Sequence, residues 1–134
     1  MEKLTEDQVI EHLSEWLEKD NWKIIERHLG HTHGIDIKAE KNNKLLIVEA
    51  KGSRGNPNSH VTTRSKFDCG QIKDHFGKAL VKVLEQRHLN PSAIVAIAQP
   101  DDPNIHHCLR DVIPETVKLN IRLYWVSENQ VTQV

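Results

Sequence analysis

Residues 34–51 read GIDIKAEKNNKLLIVEAK and predict a β-hairpin in which charged side chains stand at the open end. The turn falls at Asn42–Asn43, because asparagine tolerates the positive φ that a two-residue hairpin turn requires. Antiparallel pairing about this turn sets Asp36 opposite Glu49, with their Cβ atoms about 4.5–5.5 Å apart. Lys51 lies two residues after Glu49 and therefore shares its face. The hairpin thus brings two carboxylates and an ammonium to one point.

The other face of the same hairpin is apolar. Pairing sets Ile37 opposite Val48, and alternation places Ile35 and Ala50 on that face as well. An ordinary surface hairpin with charges on its solvent face explains the alternation equally well. It does not, however, require an acid, an acid and a lysine at these registers.

Two carboxylates that face each other across a hairpin repel unless a cation lies between them. Oxygen ligands favour a hard ion, so Asp36 and Glu49 predict a site for Mg²⁺ or Mn²⁺. Lys51 beside such an ion is suited to orient or help deprotonate a water, or to stabilise charge that develops on a phosphate.

Composition limits the class of protein. A chain of 134 residues predicts one domain, 1–134, with a modest core. The formal net charge of −1 means that any contact with DNA must use a local basic patch. Neither a signal peptide nor an apolar run long enough for a membrane span is visible. Cys69 and Cys108 predict two reduced thiols in a cytoplasmic protein.

Periodicity and capping signals predict a mixed sheet flanked by helices, an α/β sandwich built from a three-strand meander and two further strands. Thr5 is expected to cap the first helix, and Asp102 with Pro103 to begin a short one. The predicted helices are 5–19, 69–88 and 104–111, and the predicted strands are 22–28, 35–40, 45–51, 93–98 and 121–126.

This order of elements resembles the PD-(D/E)xK nuclease superfamily, whose fold is called restriction-endonuclease-like. The family's motif is an acid on one strand, here Asp36, followed by (D/E)-x-K on the next, here Glu49-Ala50-Lys51. Ile35 stands where many members have proline. The Gly-x-Asp version at 34–36 is similar to the Mrr-like and RecB-like branch. The resemblance covers roughly residues 5–98.

The resemblance implies a Mg²⁺- or Mn²⁺-dependent DNA phosphodiesterase. Asp36 and Glu49 would hold the metal together with the Ala50 carbonyl, and Lys51 would assist the attacking water. The family often adds a glutamate from the first helix. Helical phase selects Glu6, which falls on the core-facing stripe, although it also suits the helix dipole alone.

Further residues follow from the same resemblance. Gln71 at the start of the second large helix matches a glutamine or lysine that binds water or phosphate in several branches, and His75 lies one turn later. Either is also acceptable as an ordinary helix-surface residue. The loop after Lys51 lacks acids and offers three cations for phosphate contacts, Arg54, Arg64 and Lys66.

Other pairings of histidine and cysteine fit catalysis or zinc binding less well. His31, His33 and the run His106-His107-Cys108 lack zinc-ligand pair spacing. A nucleophilic pair of Cys69 with His75 has no evident third group to orient it. Cys69 is instead expected to cap or pack at the start of its helix.

The sequence allows alternatives for target recognition, for the last strand and for the class of function. A chain of this size must recognise its target through loops, a second copy in a homodimer, or a protein partner. Archaeal Holliday-junction resolvases are similar in size and motif order.

Tyr124 and Trp125 on the last strand suit either a dimer interface or the core. A non-catalytic nucleic-acid-binding or assembly module that keeps the fold is the main alternative, and a toxin or defence effector that needs a partner is a weaker one.

Overall fold

The hairpin forms with the predicted register in the computed structural model, which describes residues 3–30, 34–53 and 67–134. Asn42 and Asn43 adopt φ values of 50° and 64°. Ile37 pairs with Val48, as the turn position requires. The two asparagines therefore decide which side chains face the core and which stand at the open end.

The hairpin belongs to a six-stranded sheet whose strands follow one another in chain order. The first three strands form an antiparallel meander, the third to fifth run parallel, and the sixth returns antiparallel. The predicted α/β class is confirmed. The elements are α1 (Glu6–Lys19), β1 (Lys23–Arg27), β2 (Ile37–Lys41), β3 (Lys44–Ala50), α2 (Cys69–Leu89), β4 (Ile94–Pro100), α3 (Pro103–Cys108), α4 (Ile113–Lys118), β5 (Arg122–Val126) and β6 (Val131–Gln133).

Helices cover both faces of this sheet and give it two cores. On one face, α1 buries a stripe that includes Val9, Leu13 and Leu17 against the hairpin and the parallel strands. On the other, α2 packs Phe76 and Val83 into a core that lies over β3 and β4. None of the helices in the described ranges is long and apolar enough to cross a lipid bilayer.

The structure differs from the predicted elements near the chain's end and before β2. A further helix, α4, follows the predicted helix 104–111, and Pro114 lies in its first turn, where its missing N–H costs nothing. The tail beyond 128 contains β6, which pairs with β5. Tyr124 and Trp125 are buried, so the core alternative holds for both. Ile35 packs with α2 rather than with α1, because the ladder begins only at Ile37.

The expectation of two reduced thiols is wrong for this structure, in which Cys69 and Cys108 form a disulfide. Cys69 is the first residue of α2 and Cys108 the last of α3, and their Cα atoms lie 5.3 Å apart. That separation is within the range that disulfides span. Spacing along the sequence does not reveal this pair, because only the packing of α2 on α3 brings the two ends together.

Reduction of this disulfide is expected to destabilise the fold. The two cysteines are 39 residues apart, and closing a loop of that length stabilises a protein by about 4 kcal/mol in the chain-entropy account. Thermal unfolding in the presence and absence of a reductant measures the effect. A Cys69→Ser/Cys108→Ser variant should match the reduced wild type, and an unchanged Tm on reduction would contradict the bond.

Candidate active site

The acidic residues of the hairpin meet just beyond its last pair of hydrogen-bonded residues. Asp36 precedes β2, and its Oδ2 accepts a hydrogen bond of 2.8 Å from the Ala50 N–H. Glu49 lies near the end of β3 and is 2% exposed. The predicted convergence of Asp36 and Glu49 is therefore present, with a main-chain hydrogen bond fixing the first carboxylate.

Burial makes this pair of carboxylates reluctant to ionise together. It raises the pKa of Glu49 to about 7, and the charge on Asp36 contributes in the same direction. The pKa of Asp36 is raised as well, chiefly by burial, although its hydrogen bond from Ala50 works in the opposite direction. Within the described residues, Glu49 Oε2 is buried and accepts no hydrogen bond. The site thus holds a buried acceptor oxygen that makes no hydrogen bond, and its ion-pair partner Lys82 stays 3.7 Å away.

A third acid reaches the site from the start of α1. Thr5 caps this helix, and Gln8 completes a capping box with it. Glu6 follows the cap, and burial followed by the charge on Asp36 raises its pKa to about 7. Helical phase selected Glu6 among the glutamates of α1. In the structure, Glu6 lies close enough to Asp36 for the charge on Asp36 to act on it.

Two lysines supply the positive charge around these acids. Lys51 is anchored by its main chain, whose N–H donates to the Ala98 carbonyl at 2.9 Å. Lys82 of α2 places Nζ 3.7 Å from Glu49 Oε2. Each ammonium lowers the pKa of Glu6, Asp36 and Glu49 relative to burial alone.

Lys82 is a candidate site residue that sequence reasoning missed. The sequence feature that could have identified Lys82 is its position on α2. Lys82 directly precedes the buried Val83 and lies three residues after the buried Ala79. A lysine at the edge of a core-facing stripe extends over the sheet and reaches its polar end. That inference requires knowing that α2 crosses β3, which the sequence pattern alone does not specify.

The side chains at the hairpin end fit a hard divalent ion. Within residues 3–30, 34–53 and 67–134, no three His, Cys, Asp or Glu side chains lie close enough together to hold a metal by themselves. Asp36 and Glu49 form a pair instead, and one or two carboxylates plus water and substrate oxygens are what Mg²⁺ commonly uses. The observation that favours a cation here is that Glu49 Oε2 is buried and accepts no hydrogen bond among the described residues, with Lys82 Nζ 3.7 Å away. Direct ligation by Glu6 or by the Ala50 carbonyl stays a prediction.

Gly34, the first residue of the Gly-x-Asp motif, shapes the approach to Asp36. Its φ is +140°, a conformation that residues with a Cβ rarely adopt. A Cβ added there would lie 3.0 Å from the His28 ring. The His28 N–H in turn donates to the Asp36 carbonyl at 3.0 Å. The glycine therefore lets the chain fold close against His28 and bring Asp36 to the hairpin end.

The two α2 residues suggested by the family resemblance have different surroundings. Gln71 serves a second capping box, in which its Oε1 accepts from the Asp68 N–H at 3.0 Å. A role for Gln71 at a metal or phosphate stays a prediction. His75 packs edge-to-face on Phe67, and burial followed by the Lys51 charge lowers its pKa. His75 is therefore within electrostatic reach of the site.

Several predicted contacts lie outside the described residues, namely Arg54, Arg64 and Lys66 with their proposed phosphate contacts, and the histidines His31 and His33. Of the remaining histidines singled out, His106 stacks on Trp125 at 3.9 Å between ring centroids and pairs with Asp101 at 2.7 Å. Its ring is thus engaged in packing and an acid contact.

A cavity of about 390 Å³ lies beside the acidic site rather than over it. It opens at the carboxyl ends of β4 and β5, and its wall includes Ser53 and the buried Asp102, which Lys3 contacts at 2.5 Å. Asp36, Glu49 and Lys51 do not line it. This cavity is therefore not part of the acidic site.

The raised pKa values predict that the metal-free protein loses stability as pH rises. A folded protein whose Glu6 and Glu49 titrate near 7 holds protons that the unfolded chain releases near 4.5. Their stabilising effect is full below about pH 4.5 and is lost as pH rises through about 7. We expect the wild-type Tm to fall by at least about 4 °C across this window relative to a variant in which residue 49 cannot titrate.

Glu49→Gln provides that variant, because glutamine keeps the shape of the side chain without the proton equilibrium. Comparing wild type with Glu49→Gln at pH 5 and pH 8 cancels the contributions of other groups, including His75. Exposed Glu128→Gln serves as the matched control and should follow wild type. Parallel pH dependence in wild type and Glu49→Gln would show that the carboxylate titrates normally.

The arrangement of strands and helices is that of an α/β sandwich with a restriction-endonuclease-like fold. Two solved structures cover nearly the whole chain. An XisH family protein from Nostoc punctiforme matches with a TM-score of 0.56 and 22% identity over 93% of this chain and 96% of that one. An fdxN element excision controlling factor protein from Anabaena variabilis matches with a TM-score of 0.57 and 22% identity over 93% of this chain and 95% of that one.

One curated relative carries similarity at the level of sequence. A UPF0102 protein from Flavobacterium johnsoniae is 36% identical over 83 residues, which are 61% of this chain. The match spans only 55% of that relative's own length. No family model matches the chain. The solved structures therefore support the fold, and the similarity to the UPF0102 protein covers part of each chain.

Proposed function

We propose that this chain is a Mg²⁺- or Mn²⁺-dependent phosphodiesterase that cleaves DNA. The observation that carries the proposal is the meeting of Asp36, Glu49 and Lys51 at one end of a hairpin whose register places them there. Burying two carboxylates side by side is costly, and a divalent cation offsets that cost. A domain that only bound nucleic acid would gain little from this arrangement.

Each residue has a distinct role in the proposal. Asp36 and Glu49 hold the ion, which when bound supplies a more acidic water and neutralises charge on the phosphate. Lys51 donates hydrogen bonds to the attacking water or to a phosphate oxygen. Glu6, on which the charge of Asp36 acts, is suited to complete the shell as a further ligand of the ion or of its water.

Recognition of the substrate is proposed to involve surfaces beyond this site. Arg54, Arg64 and Lys66 follow Lys51 in the chain and are expected to contact the DNA backbone, which positions a strand without reading its sequence. A second copy of the chain or a protein partner would supply further contacts. Backbone recognition of this kind predicts DNA affinity that falls steeply as salt concentration rises.

Calorimetry with Mg²⁺ and Mn²⁺ separates this proposal from a non-catalytic binding module. We expect wild type to bind Mn²⁺, with or without DNA, and Asp36→Asn to lose that binding. Asp111→Asn, which changes an exposed aspartate on another part of the surface, should retain it. Absence of binding at millimolar metal, even with DNA present, would favour the module.

A further inference from the structure

The chain just after the hairpin of β2 and β3, at Gly52, runs unusually close to the start of α1. A Cβ added to Gly52 would collide with the Glu6 nitrogen and would lie 2.7 Å from the Thr5 carbonyl carbon. The same Cβ would lie 3.1 Å from the Leu4 carbonyl oxygen. All three neighbours are backbone atoms, which cannot swing aside as the end of a flexible side chain does. Only glycine permits this approach.

Hydrogen bonds hold the two segments at this distance. The Ser53 N–H donates to the Leu4 carbonyl at 2.9 Å, and Ser53 Oγ donates to the same oxygen at 3.3 Å. Leu4, Thr5 and Ser53 are all buried. The contact is therefore a buried part of the core and not a contact between two surface loops.

This contact joins two parts of the proposed site that are far apart in sequence. Gly52 follows Lys51 directly, and the backbone it touches belongs to Glu6, the first residue of α1. Neither the hairpin nor α1 by itself sets the distance from Glu6 to Asp36. We propose that Gly52 is a positioning residue that lets the start of α1 dock against the strand end, so that Glu6 joins Asp36 and Lys51.

The inference rests on the proposed function for its effect on catalysis, and Gly52→Ala tests it. The added methyl must push the start of α1 away from the hairpin, and a misplacement of about 1 Å in an active site lowers rates by about 10²-fold. We expect that loss in kcat/KM for Mn²⁺-dependent DNA cleavage. Gly77→Ala is the matched control, because a Cβ at Gly77 meets nothing within 4 Å. It should leave kcat/KM within about 2-fold, as substitutions away from such contacts do.

A double-mutant cycle separates positioning from general damage to the fold. If Gly52 acts through Glu6, then adding Gly52→Ala to Glu6→Gln should lower kcat/KM by less than about 3-fold, since coupled residues do not behave additively. A further loss of about 10²-fold in the Glu6→Gln background would mean that the two residues act independently, and that would overturn the proposal.

Nuclear Overhauser contacts test the docking without any assay of activity. Wild type and Gly77→Ala should show a cross-peak between the Gly52 Hα protons and the Glu6 amide proton. In Gly52→Ala, the Ser53 amide, which donates to the Leu4 carbonyl in this contact, should lose protection from hydrogen exchange. A missing cross-peak in wild type, or undiminished protection of the Ser53 amide in Gly52→Ala, would overturn the proposal even if the variant shows low activity. Expected cross-peaks in a wild type that cleaves no DNA would instead uphold the docking and reject the proposed function.

Discussion

Replacing Lys51 with alanine is expected to lower the rate of metal-dependent DNA cleavage by about 10²–10³-fold, the usual cost of losing one preorganised donor at a developing charge. The Lys51 ammonium acts on Glu6, Asp36 and Glu49 together, so it lies where charge would change in the proposed hydrolysis. The hairpin should stay folded, because Lys51 is tied to β4 through its main-chain N–H and not its side chain. Single-turnover cleavage under saturating enzyme measures the chemical step.

Lys44→Ala is the matched control for this change. Lys44 belongs to the same hairpin but lies exposed at its turn end, at the far end of β3 from Lys51. The variant should cleave at close to the wild-type rate, and its Tm should stay near that of wild type. Cleavage by Lys51→Ala at the wild-type rate would remove Lys51 from the mechanism.

Asp36→Asn is expected to separate activity from stability. In wild type the Ala50 N–H donates to Asp36 at 2.8 Å, and asparagine keeps an oxygen that can accept this bond. The substitution removes one charge from the buried pair of Asp36 and Glu49. Without metal at pH 8, the variant should therefore unfold about 4 °C above wild type, the shift that ~1 kcal/mol produces in a domain of this size. Cleavage should fall below detection. Mn²⁺ affinity should fall by at least about 100-fold, since even mutating a residue that only hydrogen-bonds a metal ligand lowers affinity by about 10–100-fold.

The opposite signs of these two effects make the experiment informative. Thermal unfolding is recorded without metal and with saturating Mn²⁺, and wild type should gain more from Mn²⁺ than Asp36→Asn does. Asp111→Asn controls for the general effect of removing an acid. A variant that is less stable than wild type without metal and equally stabilised by Mn²⁺ would show that Asp36 serves the fold and binds no ion.

Local signals in the sequence were enough to predict the part of the fold that carries the site. The asparagine pair specifies a turn with positive φ, and the turn position fixes every pair in the hairpin. Thr5 and Asp102 cap their helices as expected, because a capping side chain bonds within three residues of itself. The positions of Asp36 and Glu49 followed from these short-range rules.

Features that depend on contacts between distant segments were not predictable in the same way. The disulfide requires the packing of α2 on α3, and the contact of Lys82 with Glu49 requires α2 to cross β3. The close approach at Gly52 depends on where α1 docks. Strand β6 was missed for another reason, since Val131–Gln133 is too short and polar to show an alternating pattern and forms by pairing with the edge of β5.

Cleavage of DNA by the wild-type chain in Mg²⁺, in Mn²⁺ and in EDTA tests the central claim most directly. The substrates are linear duplex, single-stranded, flapped and four-way-junction DNA, with binding to each measured in parallel. We predict that at least one substrate is cut when either metal is present and that none is cut in EDTA. DNA binding without cleavage of any substrate in either metal would contradict the claim that Asp36, Glu49 and Lys51 form a nuclease site.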